Sequence, residues 1–461
     1  MNFERVGRRR TAIWGFGAEG QAALRVLRRL FPEKPVDLIL TEAEAAAWDF
    51  GGDPFLTVQT DDPSSGLLAQ YQVVIKSPGI SAYHPAIEWA NFRGSRIVSG
   101  THLWFDEHAE DRTIAITGTK GKSTVSALVA HLLRAGGHRT ALAGNIGMPL
   151  LELFDPDPAP EVWVIELSSF QTADLGEGVP TVATILNLSP EHLDWHGTAE
   201  QYYEDKLAIL CDNEVEVAVI NAADAELMRR TASVPSRVLF NHGAGWHVSG
   251  DWIMDGSVQV LPLSDLPLPG AHNASNVCAA LATVEAAGMD ARALARHVRS
   301  FRALPHRLQP LGEKAGIRYI NDSIATTPAA MIEAVRAVAP TGPLALLIGG
   351  KDRGLDWRPH AAELAQLAPT VIVGMGEFGK RLVALLAEQG IPPERLAHGE
   401  DLAQAMAMAT ARLPDGGTVL LSPGAPSFDA FRDYRERGER FAELAGFDPA
   451  LIGRIEGLGI A

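Results

Sequence analysis

The stretch that most limits what this chain can become is Ile114-Ala-Ile-Thr-Gly118-Thr119-Lys120-Gly121-Lys122-Ser123-Thr124. A β-branched run over Thr113 to Thr117 reads as a buried strand, a Gly/Lys/Ser turn follows, and a helix pattern runs from Ser123 to about Ala135. Strand, glycine turn and helix N-terminus together make a phosphate cradle. Backbone N–H groups and the helix dipole face the anion, Lys122 adds a point charge, and the Ser123 hydroxyl can reach Mg²⁺. The full P-loop pattern asks for a glycine at position 116, where this chain has Ile116, so the match is to the shorter Gly118-x-x-Gly121-Lys122-Ser123. An ordinary strand-to-helix turn is the plainer reading, but strand and helix in place favour a nucleotide-triphosphate site.

Composition narrows the setting. At 461 residues there is room for about three domains, and 46% hydrophobic against 21% charged residues supports a large core. A net charge of −16 argues against a nucleic-acid or anionic-membrane binder, while local loops can still attract anionic small ligands. Cys211 and Cys278 are too few for a disulfide framework, which fits a reducing compartment. Arg8, Arg9 and Arg10 precede a short apolar run that Gly15, Gly17, Glu19 and Gly20 break before a signal segment forms. No stretch approaches the roughly 20 apolar residues of a membrane span. The expectation is a cytoplasmic enzyme without membrane insertion.

Before the phosphate cradle, Thr11–Trp14, Val36–Leu40 and Val73–Lys76 read as strands, with a helix pattern over Gln21–Leu30, implying a small doubly wound parallel sheet. Its first turn, Gly15-Phe-Gly17-Ala-Glu-Gly20, is a complete G-x-G-x-x-G. Such a turn receives a diphosphate; NAD, FAD and a nucleotide sugar all stay open, because Glu42 lies slightly beyond the place of a dinucleotide fold's acidic residue. Ser77-Pro78-Gly79-Ile80 follows the third strand at the ligand-binding edge, though alone it is an ordinary turn.

After the cradle, Gly144-Asn145-Ile-Gly147 forms a loop, and the strand Val162–Glu166 ends in a carboxylate placed to hold Mg²⁺. Strand Val182–Leu186 leads into Asn187-Leu-Ser-Pro-Glu191-His192-Leu-Asp194, where His192 reads equally as a metal or substrate ligand and as a plain loop histidine. A helix from about Thr198 to Ile209 carries Lys206, which these residues alone make a solvent-facing partner of Glu204 and Asp205. Residues 214–270 give weak strand and turn signals. In His272-Asn273-Ala-Ser275-Asn276, which opens an Ala-rich helix, Ser275 or Asn273 suits an N-cap and Asn276 suits an adenine edge.

From Leu304-Pro305-His306-Arg307 the alternation resumes, with strands Arg318–Asn321, Leu344–Ile348, Thr370–Val373 and Thr418–Leu421 and helices Pro328–Val338, Lys380–Gln389 and Ser427–Leu444. This reads as another doubly wound sheet. Asp322-Ser323-Ile324-Ala325-Thr326, Gly349-Gly-Lys351-Asp-Arg353, Gly374-x-Gly376 and Ser422-Pro-Gly-Ala-Pro-Ser427 follow its strands and should share one edge. Arg307, Lys351 and Arg353 there suit phosphate or carboxylate.

Eight stretches in order, Gly118–Thr124, Gly144–Gly147, Glu166-Leu-Ser168-Ser-Phe-Gln171, His192-Leu-Asp194, Lys206-Leu, His272–Asn276, Leu304–Arg307 and Asn321-Asp-Ser323, resemble the motif series of the Mur ligase family over nearly the whole chain. The resemblance implies an α/β chain of three domains: a UDP-binding Rossmann-like sheet over 1–100, a central P-loop ATPase sheet over 101–303 and a C-terminal doubly wound glutamate/ATP domain over 304–461. It implies that Gly15, Gly17, Gly20 and Gly79 lie near the uridine diphosphate and that Gly118, Thr119, Lys120, Gly121, Lys122, Ser123 and Thr124 hold ATP. Ser123 and Glu166 would hold one Mg²⁺, His192 and a carbamylated Lys206 a second, a carbamate giving a hard cation a carboxylate-like oxygen. Asn145 and Ser168 would face substrate, Asn276 the adenine, and Arg307 and Asp322 the nucleotide. The implied catalytic residues are Lys122, His192 and Lys206, in a monomer that joins glutamate to UDP-N-acetylmuramoyl-L-alanine through an acyl phosphate, as a step of peptidoglycan precursor synthesis. Because ATP and the two substrates belong to different domains, the resemblance also implies a closure that excludes water.

Four departures fall together. Where glutamate-adding members usually read Asp-Ser-Lys-Ala-Thr-Asn, this chain has Asp322-Ser-Ile324-Ala-Thr326-Thr327; their lysine after Gly-Gly-Asp-Gly is matched by Arg353; Ser-Pro-Ala-Cys-Ala-Ser becomes Ser422-Pro-Gly-Ala-Pro-Ser427; and an aromatic pocket position carries Tyr434. Losing one lysine and exchanging another for the planar fork of Arg353 re-aims the carboxylate partners. The expectation is therefore L-glutamate, with Thr326, Arg353, Ser427 and Tyr434 lining the pocket, and D-glutamate as the alternative. A nicotinamide oxidoreductase built on Gly15–Gly20 would leave the P-loop unexplained, and a non-catalytic nucleotide-binding regulator would not need Glu166, His192 and Lys206 together.

Overall fold

The computed structural model describes residues 1–61 and 63–461. Five strands, β1 (Thr11–Trp14), β2 (Val36–Ile39), β3 (Leu56–Gln59), β4 (Val73–Lys76) and β5 (Arg96–Ser99), form a parallel sheet in the order β3-β2-β1-β4-β5. Both β1 and β4 are buried at every position, which is why they read as continuous apolar runs rather than alternating ones. The order reverses between them, so the Gly15 and Ser77 loops emerge side by side at the switch point. Ser77 Oγ donates to Gly15 O at 3.0 Å across that gap.

A second sheet is built from β6 (Thr113–Thr117), β7 (Thr140–Gly144), β8 (Val162–Glu166), β9 (Val182–Ile185), β10 (Val217–Asn221) and β11 (Arg237–Phe240), in the parallel order β11-β10-β9-β6-β8-β7. A C-terminal strand, Gly459–Ile460, pairs antiparallel with the outer side of β7. The weak region resolves into β10, β11 and an antiparallel trio, β12 (Trp246–Ser249), β13 (Trp252–Asp255) and β14 (Val258–Pro262). The trio mixes buried, half-buried and exposed positions, so no clean alternation marks its sequence.

By its contacts the chain divides into two compact units: Met1–Leu263 with Ser275–Val298 and Gly457–Ala461, and Ser264–Ala274 with Arg299–Glu456. In the first unit one apolar core runs continuously from Ile13 and Leu38 through Trp104 and Trp163 to Ile220. The second unit holds β15 (Gln309–Lys314), β16 (Ile317–Asn321), β17 (Leu344–Gly349), β18 (Val371–Met375), β19 (Leu396–Gly399) and β20 (Gly417–Leu421), in the order β15-β16-β20-β17-β18-β19, all parallel except β15. Leu344, Leu346 and Ile348 enter one core while Ala345 and Leu347 enter the other, the two-residue period of a sheet covered on both faces. Its last helix covers Tyr434–Leu444 rather than Ser427–Leu444, because the Asp433 side chain accepts from the Arg435 and Glu436 N–H groups and caps it there.

Candidate active site

β6 lies between β8 and β9, with Ile116 opposite Glu166 and Thr117 opposite Ile185. The turn that follows is glycine-dependent. Gly118 has φ +153° and Gly121 φ +88°. A Cβ on Gly118 would stand 2.9 Å from Leu186 Cβ, and one on Gly121 would stand 2.6 Å from Asn276 Oδ1. Gly121 then starts the Lys122–Ala135 helix without any side-chain cap, leaving the first-turn N–H groups directed at the cradle. The arrangement also brings Asn276 against the turn. Thr119 anchors the loop, its Oγ1 donating to Ser189 O at 3.0 Å and lying 2.7 Å from the Tyr202 hydroxyl. Lys120 pairs at the surface with Glu191 at 2.6 Å, while Ser123 and Thr124 are half-buried on the helix's first turn.

Two lysine side chains meet one carbonyl. Lys122 Nζ donates to Gly118 O at 2.9 Å and to Thr119 O at 3.0 Å, and Lys206 Nζ donates to the same Gly118 O at 3.0 Å. Lys206 is buried, on a helix (Ala199–Leu207) whose inward residues are Tyr202, Asp205 and Lys206. Burial, then the neighbouring Lys122 charge, holds its amine well below the usual lysine range, with Glu191 and Glu166 pulling the other way. The solvent-facing reading of Lys206 is thus corrected: spacing of i, i+3 and i+4 turns it inward with Tyr202.

Glu166 is 1% exposed. Its Oε1 accepts from Asn145 Nδ2 at 2.9 Å, whereas Oε2 is buried with no hydrogen-bond partner. A carboxylate oxygen so placed beside a phosphate cradle suits a hard cation. Among the described residues no three His, Cys, Asp or Glu side chains form a metal-binding group. A cation here would therefore take Glu166 and Ser123 together with phosphate oxygens and water, the usual style of Mg²⁺. His192 is exposed, holds a left-handed conformation (φ 55°) at the start of the short helix Leu193–His196, and lies 5.0 Å from the Phe170 ring. Ser168 caps the Ser169–Ala173 helix in a capping box with Gln171.

A buried network lies behind these groups, outside the motifs legible in the sequence. His196 Nδ1 lies 2.5 Å from Asp205 Oδ2 and its Nε2 lies 3.0 Å from Ser169 Oγ, while burial lowers the imidazole pKa. Lys76, the last residue of β4, is buried and pairs with Asp174 at 2.6 Å. A lysine ending an apolar strand was the available signal. Around the G-x-G-x-x-G turn, Gly15 (φ +83°) and Gly20 are tight packing positions, a Gly20 Cβ falling 2.2 Å from Gly15 O. Gly17 and Gly79 are different: a Cβ on either would meet nothing within 4 Å, so these two glycines leave room rather than relieve crowding.

In the second unit, Asp322 is buried, accepting from Leu308 N at 3.0 Å and from Ser422 Oγ at 2.7 Å; burial pushes its carboxyl up to about 7. Arg307 is exposed and its charge acts on Asp322 in the opposite sense. The strand-end loops do share one edge. Buried Arg437 ties three of them, donating to Ser323 O at 2.8 Å, Ser323 Oγ at 3.0 Å, Ala425 O at 3.0 Å and Gly349 O at 3.5 Å. Ser427 is buried, Thr326 and Tyr434 are half-buried, and Arg353 is exposed in the loop after β17. Tyr434 O accepts from Ser323 Oγ at 2.7 Å, so the helix bearing Tyr434 is joined to the Asp322–Thr326 loop.

Comparison with known proteins gives the same outline. A family model described as the Mur ligase middle domain matches residues 116–284, and one described as the Mur ligase, glutamate ligase domain matches residues 306–424. The chain is 49% identical over 469 residues, covering 100% of both sequences, to the UDP-N-acetylmuramoyl-L-alanine--L-glutamate ligase of Xanthomonas campestris pv. campestris (strain 8004). It is 38% identical over 447 residues to the protein of the same name from a Micromonospora species, covering 94% of this chain and 96% of that one. Among solved structures, the UDP-N-acetylmuramate-alanine ligase MurC of Thermotoga maritima superposes with a TM-score of 0.61 at 20% identity, over 95% of this chain and 99% of that one, a likeness of fold. Similarity at this level, running the full length of the sequence, leaves one assignment: the chain belongs to the Mur ligase family, whose members are ATP-dependent ligases.

Proposed function

We propose that this enzyme joins L-glutamate to UDP-N-acetylmuramoyl-L-alanine with hydrolysis of ATP to ADP and phosphate, in peptidoglycan precursor synthesis. The observation that carries it is the meeting of Lys122 and Lys206 on Gly118 O beside a buried Glu166 oxygen without a partner, a cradle that calls for a triphosphate and a cation. Lys122 exchanges the loop carbonyls for β/γ-phosphate oxygens. A carboxylate oxygen of the substrate attacks the γ-phosphorus, the bond to the ADP oxygen breaks, and an acyl phosphate results. The glutamate amine then attacks the acyl carbon, phosphate leaves, and the nitrogen loses a proton. Ser123 and Glu166 would hold Mg²⁺, which would supply charge neutralisation on the phosphoryl group.

Lys206 is proposed to be carbamylated and, with His192, to hold a second cation; burial and the Lys122 charge lower its pKa, which favours the neutral amine, the form that reacts with CO₂. Gly15, Gly17, Gly20 and Gly79 are assigned to the uridine diphosphate, Asn145 and Ser168 to the acyl substrate, Asn276 to adenine, and Arg307 and Asp322 to the nucleotide. Thr326, Arg353, Ser427 and Tyr434 are assigned to glutamate. The domains are taken as 1–100, 101–303 and 304–461, in a cytoplasmic monomer. Among the described residues no helix is long and apolar enough to cross a membrane. The name shared by the relatives supports L-glutamate, as do the Ile324 and Arg353 departures. The test is phosphate release from ATP with UDP-N-acetylmuramoyl-L-alanine and either D- or L-glutamate in parallel. Release only with the L isomer is expected; a D preference would overturn the stereochemical assignment, and no release with either would overturn the reaction.

A further inference from the structure

The loop from Ser77 to Tyr83 leaves β4 and reaches both chain segments that carry the proposed second-cation ligands. Its own shape is set by Lys76, whose buried Nζ donates to Ile80 O at 2.7 Å while paired with Asp174. From there it makes two separate attachments. Ser81 Oγ donates to Trp195 O at 2.7 Å, and Trp195 Nε1 donates back to Pro78 O at 3.1 Å, a reciprocal clamp on the helix that begins just after His192. The Trp195 ring stacks on Phe170 with centroids 4.8 Å apart, and the same Phe170 ring lies 5.0 Å from His192. Tyr83, at the other end of the loop, donates its hydroxyl to Asp205 Oδ1, and Asp205 immediately precedes Lys206. Asp205 Oδ2 is in turn engaged by His196, so the carboxylate is fixed from both sides.

We infer that this loop is a brace for the second cation site: Ser81, Trp195 and Tyr83 are positioning residues that hold His192 and Lys206 in register with the diphosphate loop. The inference rests on the reading of His192 and Lys206 given above. Ligand groups must be held within a fraction of an ångström, and partners one step behind a ligand typically govern metal affinity by 10- to 100-fold. One short segment that carries Gly79, assigned above to the diphosphate, and also holds the two segments assigned to the cation would link the filling of one site to the order of the other.

Three conservative variants separate positioning from packing: Tyr83→Phe and Ser81→Ala each remove one hydroxyl, and Trp195→Phe removes the indole N–H while keeping an aromatic ring. Two readouts are independent of turnover. Mn²⁺ affinity is followed by the EPR signal of the free ion, and the Lys206 carbamate by ¹³C NMR in ¹³C-bicarbonate, with Lys206→Arg as the blank. UDP, which carries no acyl group to reach the cation, is the calorimetric probe of the diphosphate site. The expected result is Mn²⁺ affinity about tenfold weaker with a smaller carbamate signal, and UDP affinity and melting temperature close to those of the parent. Mn²⁺ affinity unchanged in all three variants would overturn the brace, as would a parallel loss of UDP affinity and melting temperature. A parent protein without the carbamate signal would instead remove the Lys206 reading, and the brace with it.

Discussion

Lys122 and Lys206 sit within hydrogen-bond distance of the same oxygen, yet only Lys122 is marked by its own neighbours in the chain, while Lys206 stands out through the family resemblance alone. Lys122 belongs to a local pattern of strand, glycine turn and helix, whereas Lys206 takes its meaning from Gly118, far away in sequence. Replacing Lys122 with Ala is expected to lower kcat by at least 10³-fold, since charge stabilisation of the transferred phosphoryl group is lost, while the melting temperature stays within a few degrees. Steady-state phosphate release and a thermal melt check both halves of that statement. Asp322 offers a test of burial. Its folded-state pKa, raised to about 7 from 3.8, means the folded protein holds a proton that the unfolded chain releases. Stability from this group therefore falls as pH rises from about 4 to about 7, by up to roughly 4 kcal/mol. Asp322→Asn keeps an acceptor for Leu308 N and should raise the melting temperature near pH 8 while changing little near pH 4. A variant equally destabilised at both pH values would contradict this.

At the scale of elements, the parallel strands were readable because burial on both faces makes them continuous apolar runs, and their ligand edge followed from the order of the connections. The β12–β14 trio was not, since half-exposed strands of four or five residues lose the alternation that would mark them. The strand Gly459–Ile460 was equally hidden. Two residues carry no pattern; they are a strand only because β7 presents an open edge and Arg134 reaches across it. Arg134 donates to Gly457 O at 2.5 Å, Gly459 O at 2.9 Å and Thr140 O at 2.7 Å. Arg134→Ala is expected to cost about 1–3 kcal/mol and to speed amide exchange at Ala461, whose N–H donates to Thr140 O. Unaltered exchange there would show that the strand pairs without the arginine.

At the scale of the molecule, binding of a triphosphate to the first unit should stabilise it by mass action. A non-hydrolysable ATP analogue at about 100 times its Kd adds about 2.7 kcal/mol, visible as a rise in melting temperature that Lys122→Ala removes. The sequence by itself determined the α/β class, the glycine turn between strand and helix at Gly118–Ser123, the glycine turn at Gly15–Gly20 and the ordered motifs of a Mur ligase, because each is written in residues that are close in the chain and obey local rules of period, turn and cap. Tertiary structure alone decided which groups are buried against one another: that Lys206 turns inward onto Gly118, that Glu166 keeps one oxygen without a partner, that Arg437 ties three loops, and that a loop after β4 grips the segments bearing His192 and Lys206. Desolvation and hydrogen-bond pairing act through space, so no spacing along the chain could announce them.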